Sequence, residues 1–600
     1  MQHRSRAIWI MVVLACGFTL ISFNLIQIQL VQHAQYTRMA ITNHMDRVTI
    51  PAKRGSLLDA DGSILAQTQR VYNVHLDGLE LSKEDSRTIV PLLAQALDVP
   101  PDSITWSPGN RYQLIASDVE DAVKLRLDAL KTSLETRKDN PLKFDCLIIE
   151  ERDRRVYPNN ELGAHVLGFT GDNGHGLAGM EKQMDSVLQG VPGERLVERD
   201  AKRREIALYQ VHDTPAIDGD DVTLTIKMAI QHVVEGQLDE IVQTYQPEAA
   251  YIIIMDPQTG EIMAMGSRPT YDPNDRASFT RDKVRNRCVT DPVEPGSVFK
   301  IITLAGALNE GSLSLNTPIF CENGDFFYAG KHLHDDNEHF GLLPVEEVMA
   351  KSSNIGFAKI ALNYLGKQKL YDYAAAFGMR QRPGLFDHQG ETRGWLAPTE
   401  TWSALSITRV PMGQEVLASP MQLATAMCVI ANGGKLMAPM LVRQVTDPTG
   451  KVVQTFQPRV VRQVVSATAA RDVAEALHQV TVDGTAKAIK ITDPTGAGYS
   501  FAGKTGTAQK WITGEGYSHT QHVSSFIGFM PAQNPAFVAL VMIDDPKTAA
   551  RQDYGAEVSA PVFAKIGAQL AQILNIPPDI PAPAVPPQVA TASNPPHGQL

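Results

Sequence analysis

From Ala7 to Ile26 the chain reads AIWIMVVLACGFTLISFNLI, twenty uncharged residues interrupted only by Thr19, Ser22 and Asn24. As a helix this run is about 30 Å long, the thickness of a bilayer's hydrocarbon core, so it predicts one membrane-crossing helix. His3, Arg4 and Arg6 precede it, and positive charge at that end predicts that residues 1–6 stay in the cytoplasm. The expected anchor covers 7–28 and places the remainder of the chain outside the cytoplasm. A cleavable signal would have a shorter apolar stretch and an A-x-A-like site, and neither is convincing here. VLAC at 13–16 loosely matches a lipoprotein signal, but the apolar run continues well past Cys16. A mean hydropathy of −0.14 excludes a polytopic membrane protein.

Beyond the span the composition is globular: 43% hydrophobic and 20% charged over 600 residues, enough for two or more cores. A dominantly disordered, collagen-like or disulfide-framework chain is excluded. The net charge of −11 leaves no broad basic face for nucleic-acid phosphates. Five cysteines (Cys16, Cys146, Cys288, Cys321 and Cys428) are too few and too scattered to staple the fold.

Gln27–His44 is polar and helix-compatible, a stalk. From about Val48 to Thr225, short β-like runs (VYNVHLDG, CLIIEERD) mix with the amphipathic stretch VEDAVKLRLDALKTSLETR. There Val119, Val123, Leu127, Leu130 and Leu134 recur at the spacing of a helix with one buried face. A new core opens with AAYIIIMDPQTGEIMAMGS at 249–267, two β-rich runs around the turn Pro257–Gly260, which predicts a hairpin. Helical segments dominate the middle, and a strand-rich zone runs from Tyr499 to Ile543. The last 24 residues hold eight prolines and almost no large apolar groups, so a flexible tail is expected. No internal repeat is seen.

Three short motifs carry chemistry. In Glu294-Pro-Gly-Ser-Val-Phe-Lys300 the turn residues Pro295 and Gly296 precede an apolar helical run, which places Ser297 at a helix N-terminus and Lys300 one turn later. Backbone N–H groups there favour developing negative charge. A serine hydroxyl is a poor nucleophile until a neighbour takes its proton, and a lysine of lowered pKa can do so. Lys351-Ser352-Ser353-Asn354 could by itself be a polar loop or helix cap, and Ala502-Gly503-Lys504-Thr505-Gly506-Thr507 a turn at a strand end. In the order Ser297-x-x-Lys300, Ser352-x-Asn354, Lys504-Thr505-Gly506 they match the motif set of penicillin-binding proteins and class A β-lactamases.

RNRCVTDPVEPGSVFK, VMAKSSNIGFAKIA, VLASPMQLATAMCVIANGG, FAGKTGTAQK and SSFIGFMPAQNPAFVALVMIDDP extend this resemblance to class B penicillin-binding proteins. Upstream, the segments at 54–62 (RGSLLDADG), 155–158 (RVYP) and 176–181 (GLAGME) resemble that family's pedestal motifs, so the likeness spans roughly 7–575. Two departures are visible: Ala60 where the family usually has arginine, and Lys227 where an LTID-like segment usually ends in aspartate. WSALSITRVPMGQEVLASPMQL and AGKTGTAQK are most similar to the septal, cell-division group.

The resemblance implies an α+β multidomain fold. It comprises a single N-terminal transmembrane helix, an elongated mixed α/β pedestal and a serine β-lactamase-like transpeptidase domain with a central antiparallel sheet flanked by helices. The expected domains are 1–6 cytoplasmic, 7–28 anchor, 29–225 stalk and dimerisation-like pedestal, 226–575 transpeptidase and 576–600 tail. The implied activity is a serine D,D-transpeptidase that cross-links peptidoglycan stem peptides through an acyl-enzyme on Ser297, with β-lactams as covalent ligands. Lys300 is then the base, its pKa lowered by burial and by Lys504, while Ser352 and Asn354 relay protons and orient the substrate. Lys504, Thr505 and Thr507 offer donors to the substrate's carboxylate, and Gly506 permits close approach of the peptide to a strand edge. Backbone N–H groups of Ser297 and Thr507 form the implied oxyanion hole.

No cofactor is implied. The implied partners are stem peptides, β-lactams, a membrane glycosyltransferase of the shape, elongation, division and sporulation type and other division proteins, with no nucleic acid. The implied location is the inner membrane, single-pass, with the catalytic domain periplasmic.

Two other readings share the motifs. A membrane-bound β-lactamase or β-lactam sensor would need a hydrolytic glutamate, and no E-x-x-L-N-like segment lies between Asn354 and Lys504. A catalytically idle divisome scaffold would leave the intact motif set without use. Cys321, His332, His334, Asp335, Asp336 and His339 are suitable metal ligands by type, but their spacing fits no known pattern. A surface loop near the active site, without metal, is expected there.

Overall fold

The computed structural model describes residues 2–136, 146–198, 212–335, 338–386, 390–512, 514, 516–548 and 553–582. The chain forms two compact units, Met1–Gly55 with Gln189–Asp220, and Ser56–Leu188 with Asp221–Leu600. In the first, helix α1 (Gln2–Ile26) carries the apolar run; within Arg4–Val31 an 18-residue window has a mean hydropathy of 2.2, and none of that window is buried in protein. Among the described residues it is one helix long and apolar enough to cross a membrane. A helix at His33–His44 comes next, and the strand Met45–Ile50 pairs antiparallel with Gly193–Glu198.

The second unit begins with β1 (Ile64–Leu76), which pairs antiparallel with both β2 (Gln113–Val119) and β3 (Leu147–Val156). VYNVHLDG and CLIIEERD are thus neighbouring strands. Helix α2 (Asp121–Glu135) buries Leu127 and Leu134 against a separate small core with Ile89, Leu93 and Val74. Val119, expected on that helix, instead ends β2 opposite Tyr72, because the chain turns at Asp118 (φ 55°) and Glu120 is extended. Its burial comes from the strand, so its fit to the helical spacing was coincidental.

Two of the pedestal motifs, 155–158 and 176–181, meet inside this unit. Arg155 Nε donates to Glu181 Oε1 at 2.7 Å, and Tyr157 donates its hydroxyl to the same oxygen at 3.3 Å. Both ion-pair side chains are buried, Glu181 completely. Asp59 organises its own turn by accepting from Ser63 N–H at 2.7 Å and Asp61 N–H at 2.9 Å. Its other oxygen accepts from Met228 N–H at 3.0 Å, in the first turn of α3 (Met228–Tyr245). Lys227, the N-cap of α3, makes no side-chain cap hydrogen bond. The carboxylate that a helix N-terminus favours is supplied by Asp59 from elsewhere in the chain.

The main core surrounds a five-stranded sheet. Strands β4 (Ala249–Met255) and β5 (Ile262–Arg268) form the expected hairpin, with every residue of both buried. Between them and the last three strands come helix α4 (Lys300–Asn309), the small hairpin β6 (Asp325–Tyr328) and β7 (Lys331–His334), α5 (Asn354–Ile360) and α6 (Ala467–Val482). The sheet is completed by β8 (Ala502–Ile512), β9 (Gly516–Met530) and β10 (Phe537–Asp544) in the order β5-β4-β10-β9-β8, all antiparallel. Helix α3 and the last helix α7 (Ser559–Ile573) pack on this sheet, as do α6 and the helix Pro420–Ala431. Covered on both faces, β4 and β10 read as unbroken apolar runs without the alternation of a half-exposed strand.

All five cysteines are free thiols. Within the expected flexible tail, residues 576–582 are described, and Ile580 pairs with Gly498 through hydrogen bonds of 2.8 and 3.0 Å. From 583 onward it lies outside the described residues.

Replacing Glu181 by Ala leaves the buried Arg155 guanidinium without this carboxylate, which costs about 3–5 kcal/mol. The apparent unfolding temperature should fall clearly while fluorescent-penicillin labelling at room temperature persists. An unchanged melting profile would contradict the role given to this pair.

Candidate active site

Ser297 lies in a single 3-10 turn, Gly296–Phe299, that runs directly into α4. The serine is half-buried, whereas Lys300 opens α4 with no solvent exposure. Glycines let this turn sit close to its surroundings. Gly296 (φ 54°) lies where a Cβ would be 3.0 Å from the carbonyl oxygen of Thr507, and a Cβ on Gly413 would be 2.2 Å from the carbonyl oxygen of Gly296. Gly506 was expected to make room for substrate. Instead a Cβ there would meet Ser525 Oγ at 2.4 Å and Val298 Cγ2 at 2.9 Å, so its absent side chain lets β8 approach the nucleophile turn and β9.

The second motif spans the loop after the helix Val345–Ala350 and ends on Asn354, the first residue of α5. Ser352 has φ 58°, a left-handed conformation that costs a non-glycine residue free energy and persists only where the surroundings impose it. Ser353 caps α5 by accepting from Gly356 N–H at 2.9 Å. The cap reading therefore holds for the middle residue, and its two neighbours face the site.

There the three motifs converge. Lys300 Nζ donates to the carbonyl oxygen of Ser352 at 2.7 Å, to Asn354 Oδ1 at 2.7 Å and to Ser352 Oγ at 3.2 Å. Lys504 Nζ, equally inaccessible to solvent, donates to Ser352 Oγ at 2.8 Å and to the Thr505 carbonyl at 3.0 Å. Ser352 Oγ in turn donates to Ser297 Oγ at 3.3 Å. One hydroxyl thus joins two amines to the candidate nucleophile. Lys504 lies on β8, the edge strand of the sheet, with Thr505 buried and Thr507 half-buried beside it. Gly555 N–H donates to Thr507 Oγ1 at 3.2 Å.

Three supporting roles were not read from the sequence. Thr485 shares a 2.7 Å hydroxyl hydrogen bond with Thr505. Asp335, considered only as a metal ligand, is buried and accepts from Ser353 Oγ at 2.9 Å and Ile355 N–H at 3.1 Å, which braces the Ser352–Asn354 loop. Glu294, part of the first motif, accepts at one oxygen from Tyr517 hydroxyl at 2.9 Å and Glu415 N–H at 3.0 Å, and so ties the β8–β9 hairpin to the 409–415 segment. Burial pushes its carboxyl above the usual range, and burial together with the Glu294 charge pushes the Tyr517 phenol up. Only a strained or buried polar residue read against a known structure would have revealed these three.

The ligand-type residues of the 321–339 segment, for which no metal was expected, lie apart. Cys321 is buried, and its thiol is pushed up by that burial; His339 Nδ1 lies 3.1 Å from the carbonyl oxygen of Asn323; Asp336 lies outside the described residues. His332 and His334 share an exposed face of the β6–β7 hairpin.

Residues 250–568 match the penicillin binding protein transpeptidase domain, and 49–224 match the penicillin-binding protein dimerisation domain. The chain is 31% identical to stage V sporulation protein D of Bacillus subtilis over 94% of its own length and 85% of that protein. It is 30% identical to the peptidoglycan D,D-transpeptidase FtsI of Escherichia coli K12, over 88% of this chain and 85% of the relative. A crystal structure of penicillin-binding protein 3 from Mycobacterium tuberculosis, complexed with aztreonam, superposes with a TM-score of 0.66 at 27% identity, covering 89% of this chain and all of that one.

Because the folded-state pKa of Glu294 is raised, its burial is unpenalised below the usual glutamate range and costs stability as pH rises through its folded value. Glu294→Gln keeps the acceptor oxygen and removes the charge. Its unfolding temperature relative to the unsubstituted protein should therefore climb from pH 4 to pH 8; a difference that stays flat or falls would refute the assignment.

Proposed function

The chain belongs to the class B penicillin-binding proteins, and from that membership we propose that it is a serine D,D-transpeptidase which cross-links peptidoglycan stem peptides during septal wall synthesis. The observation that carries the proposal is the placement of Ser352 Oγ, within 3.3 Å of Ser297 Oγ and of the amines of both Lys300 and Lys504.

Ser297 Oγ attacks the carbonyl carbon of the penultimate D-alanine and loses its proton to Lys300. Two ammonium groups on one hydroxyl, both removed from water, repel each other; the repulsion is relieved when Lys504 keeps its charge and Lys300 is the neutral amine, its two N–H groups on the Ser352 carbonyl and Asn354 Oδ1 and its lone pair taking the proton. The oxyanion receives the N–H groups of Ser297 and Thr507, whose backbones the glycine contacts bring together. Loss of one such donor typically costs about 3 kcal/mol, on the order of a hundredfold in rate. On collapse of the intermediate the C–N bond breaks. The proton on Lys300 then passes through the Ser352 hydroxyl to the departing D-alanine amine, while Asn354 holds Lys300 in place. The amine of a neighbouring stem peptide attacks the resulting ester and frees Ser297.

The donor peptide aligns along the open edge of β8, with its terminal carboxylate toward Lys504, Thr505 and Thr507. β-Lactams mimic the acyl-D-Ala-D-Ala end and acylate the same hydroxyl.

Arg4 and Arg6, in α1 ahead of its apolar run, support a cytoplasmic N-terminus and a periplasmic catalytic domain anchored in the inner membrane. Family likeness supports a membrane glycosyltransferase of the shape, elongation, division and sporulation type as the partner, together with other division proteins.

Ser297→Ala should abolish covalent labelling by a fluorescent penicillin and leave the melting temperature nearly unchanged; labelling at the original level would refute the nucleophile assignment. A fluorescent fusion is expected at midcell, and a signal distributed along the flanks would reject the septal role.

A further inference from the structure

The hairpin β6–β7 turns through Ala329 (φ 43°) and Gly330 (φ 81°), the positive pair that a tight two-residue hairpin turn requires. Its register sets Asp325 opposite His334 and Phe327 opposite His332, so all four side chains share one face, and all four are exposed. On that face two imidazoles converge on one carboxylate oxygen. His332 Nδ1 is 2.7 Å and His334 Nδ1 is 3.5 Å from Asp325 Oδ1, and the two rings stack with centroids 6.0 Å apart. The three ligand atoms lie within 4.8 Å of one another.

An ordinary surface ion pair needs one histidine. Two nitrogens facing the same oxygen bring lone pairs together unless a proton or a cation lies among them. Two imidazoles and a carboxylate form a ligand set suited to a first-row divalent transition metal, with open positions left to water. The backbone supports it, because cross-strand partners and i, i+2 neighbours of a hairpin are held at fixed spacing, so small side-chain rotations bring all three donors onto one ion.

We propose that Asp325, His332 and His334 form a zinc-class divalent metal site on the exposed face of this hairpin. The site is distinct from the Ser297 centre but linked to it through the backbone. The carbonyl oxygen of His334 accepts from Asn354 Nδ2 at 3.2 Å, and the next residue, Asp335, holds Ser353 and Ile355. An ion that immobilises β7 therefore stiffens the loop carrying Ser352 and Asn354.

The test uses the purified full-length chain in detergent, titrated with Zn²⁺ against a chromophoric chelator and separately with Co²⁺ while its d–d absorption is recorded. One equivalent should bind, and Zn²⁺ should raise the unfolding temperature. His332→Ala/His334→Ala should weaken binding more than about 100-fold, beyond the usual cost of losing an outer-shell partner, and abolish the Zn²⁺-induced thermal shift. The conservative Asp325→Asn should also weaken binding, whereas His339→Ala should not. Retained fluorescent-penicillin labelling confirms that each variant is folded; if the double variant fails this check, His334→Gln replaces it. Absence of binding by the unsubstituted chain at micromolar Zn²⁺, or equal affinity in the hairpin variants, overturns the proposal.

Discussion

Two lysine amines, both shut off from solvent, meet at the hydroxyl of Ser352. Burying two such groups beside each other is among the least favourable arrangements a protein can hold, and it survives only where each amine is fully hydrogen-bonded. The surrounding structure serves that need. Lys300 is held by the Ser352 carbonyl and Asn354, and Lys504 by the carbonyl of the next residue on the edge strand. The left-handed backbone at Ser352 is the local cost of presenting carbonyl and hydroxyl to the same amine.

The loop and the strand are in turn fixed from behind. Asp335 accepts from the residue between the two site-facing members of the second motif, and Thr485 holds Thr505 beside Lys504. Gly296 lets the nucleophile turn approach the Thr507 carbonyl on β8, Gly413 lets the 409–413 segment close on Gly296, and Gly506 leaves room for the Val298 side chain of the turn. Interiors packed this closely transmit displacement, so a methyl group added at these positions would move the reacting atoms themselves. Glu294 adds a polar tie from the first motif to the hairpin that extends the edge strand.

Legibility tracked physical locality. The N-terminal apolar helix, the 249–267 hairpin and the helix after Ser297 rest on runs of adjacent residues, and each appears where the pattern placed it. Val119 fitted a helical spacing by coincidence because two elements abut at Glu120 and a periodic pattern does not mark the seam. The supposed tail was read by composition, which does not register that two residues, Asp579 and Ile580, find partners at Ser500 and Gly498. Asp335 was grouped with nearby ligand types, and only its burial beneath Ser353 reveals a structural purpose.

By itself the sequence determined the chemistry available: a membrane-spanning apolar run, a serine and lysine one helical turn apart, a Ser-x-Asn loop and a Lys-Thr-Gly strand. Those are properties of short segments, set by residue type and spacing. Tertiary structure alone decided that the three segments share one hydroxyl, that Gly506 serves the packing of the nucleophile turn, and that Asp325 joins two histidines across a hairpin. Each of these depends on distances between residues far apart in the chain or on opposite strands. Such distances arise from the folding of a whole core, to which no local pattern has access.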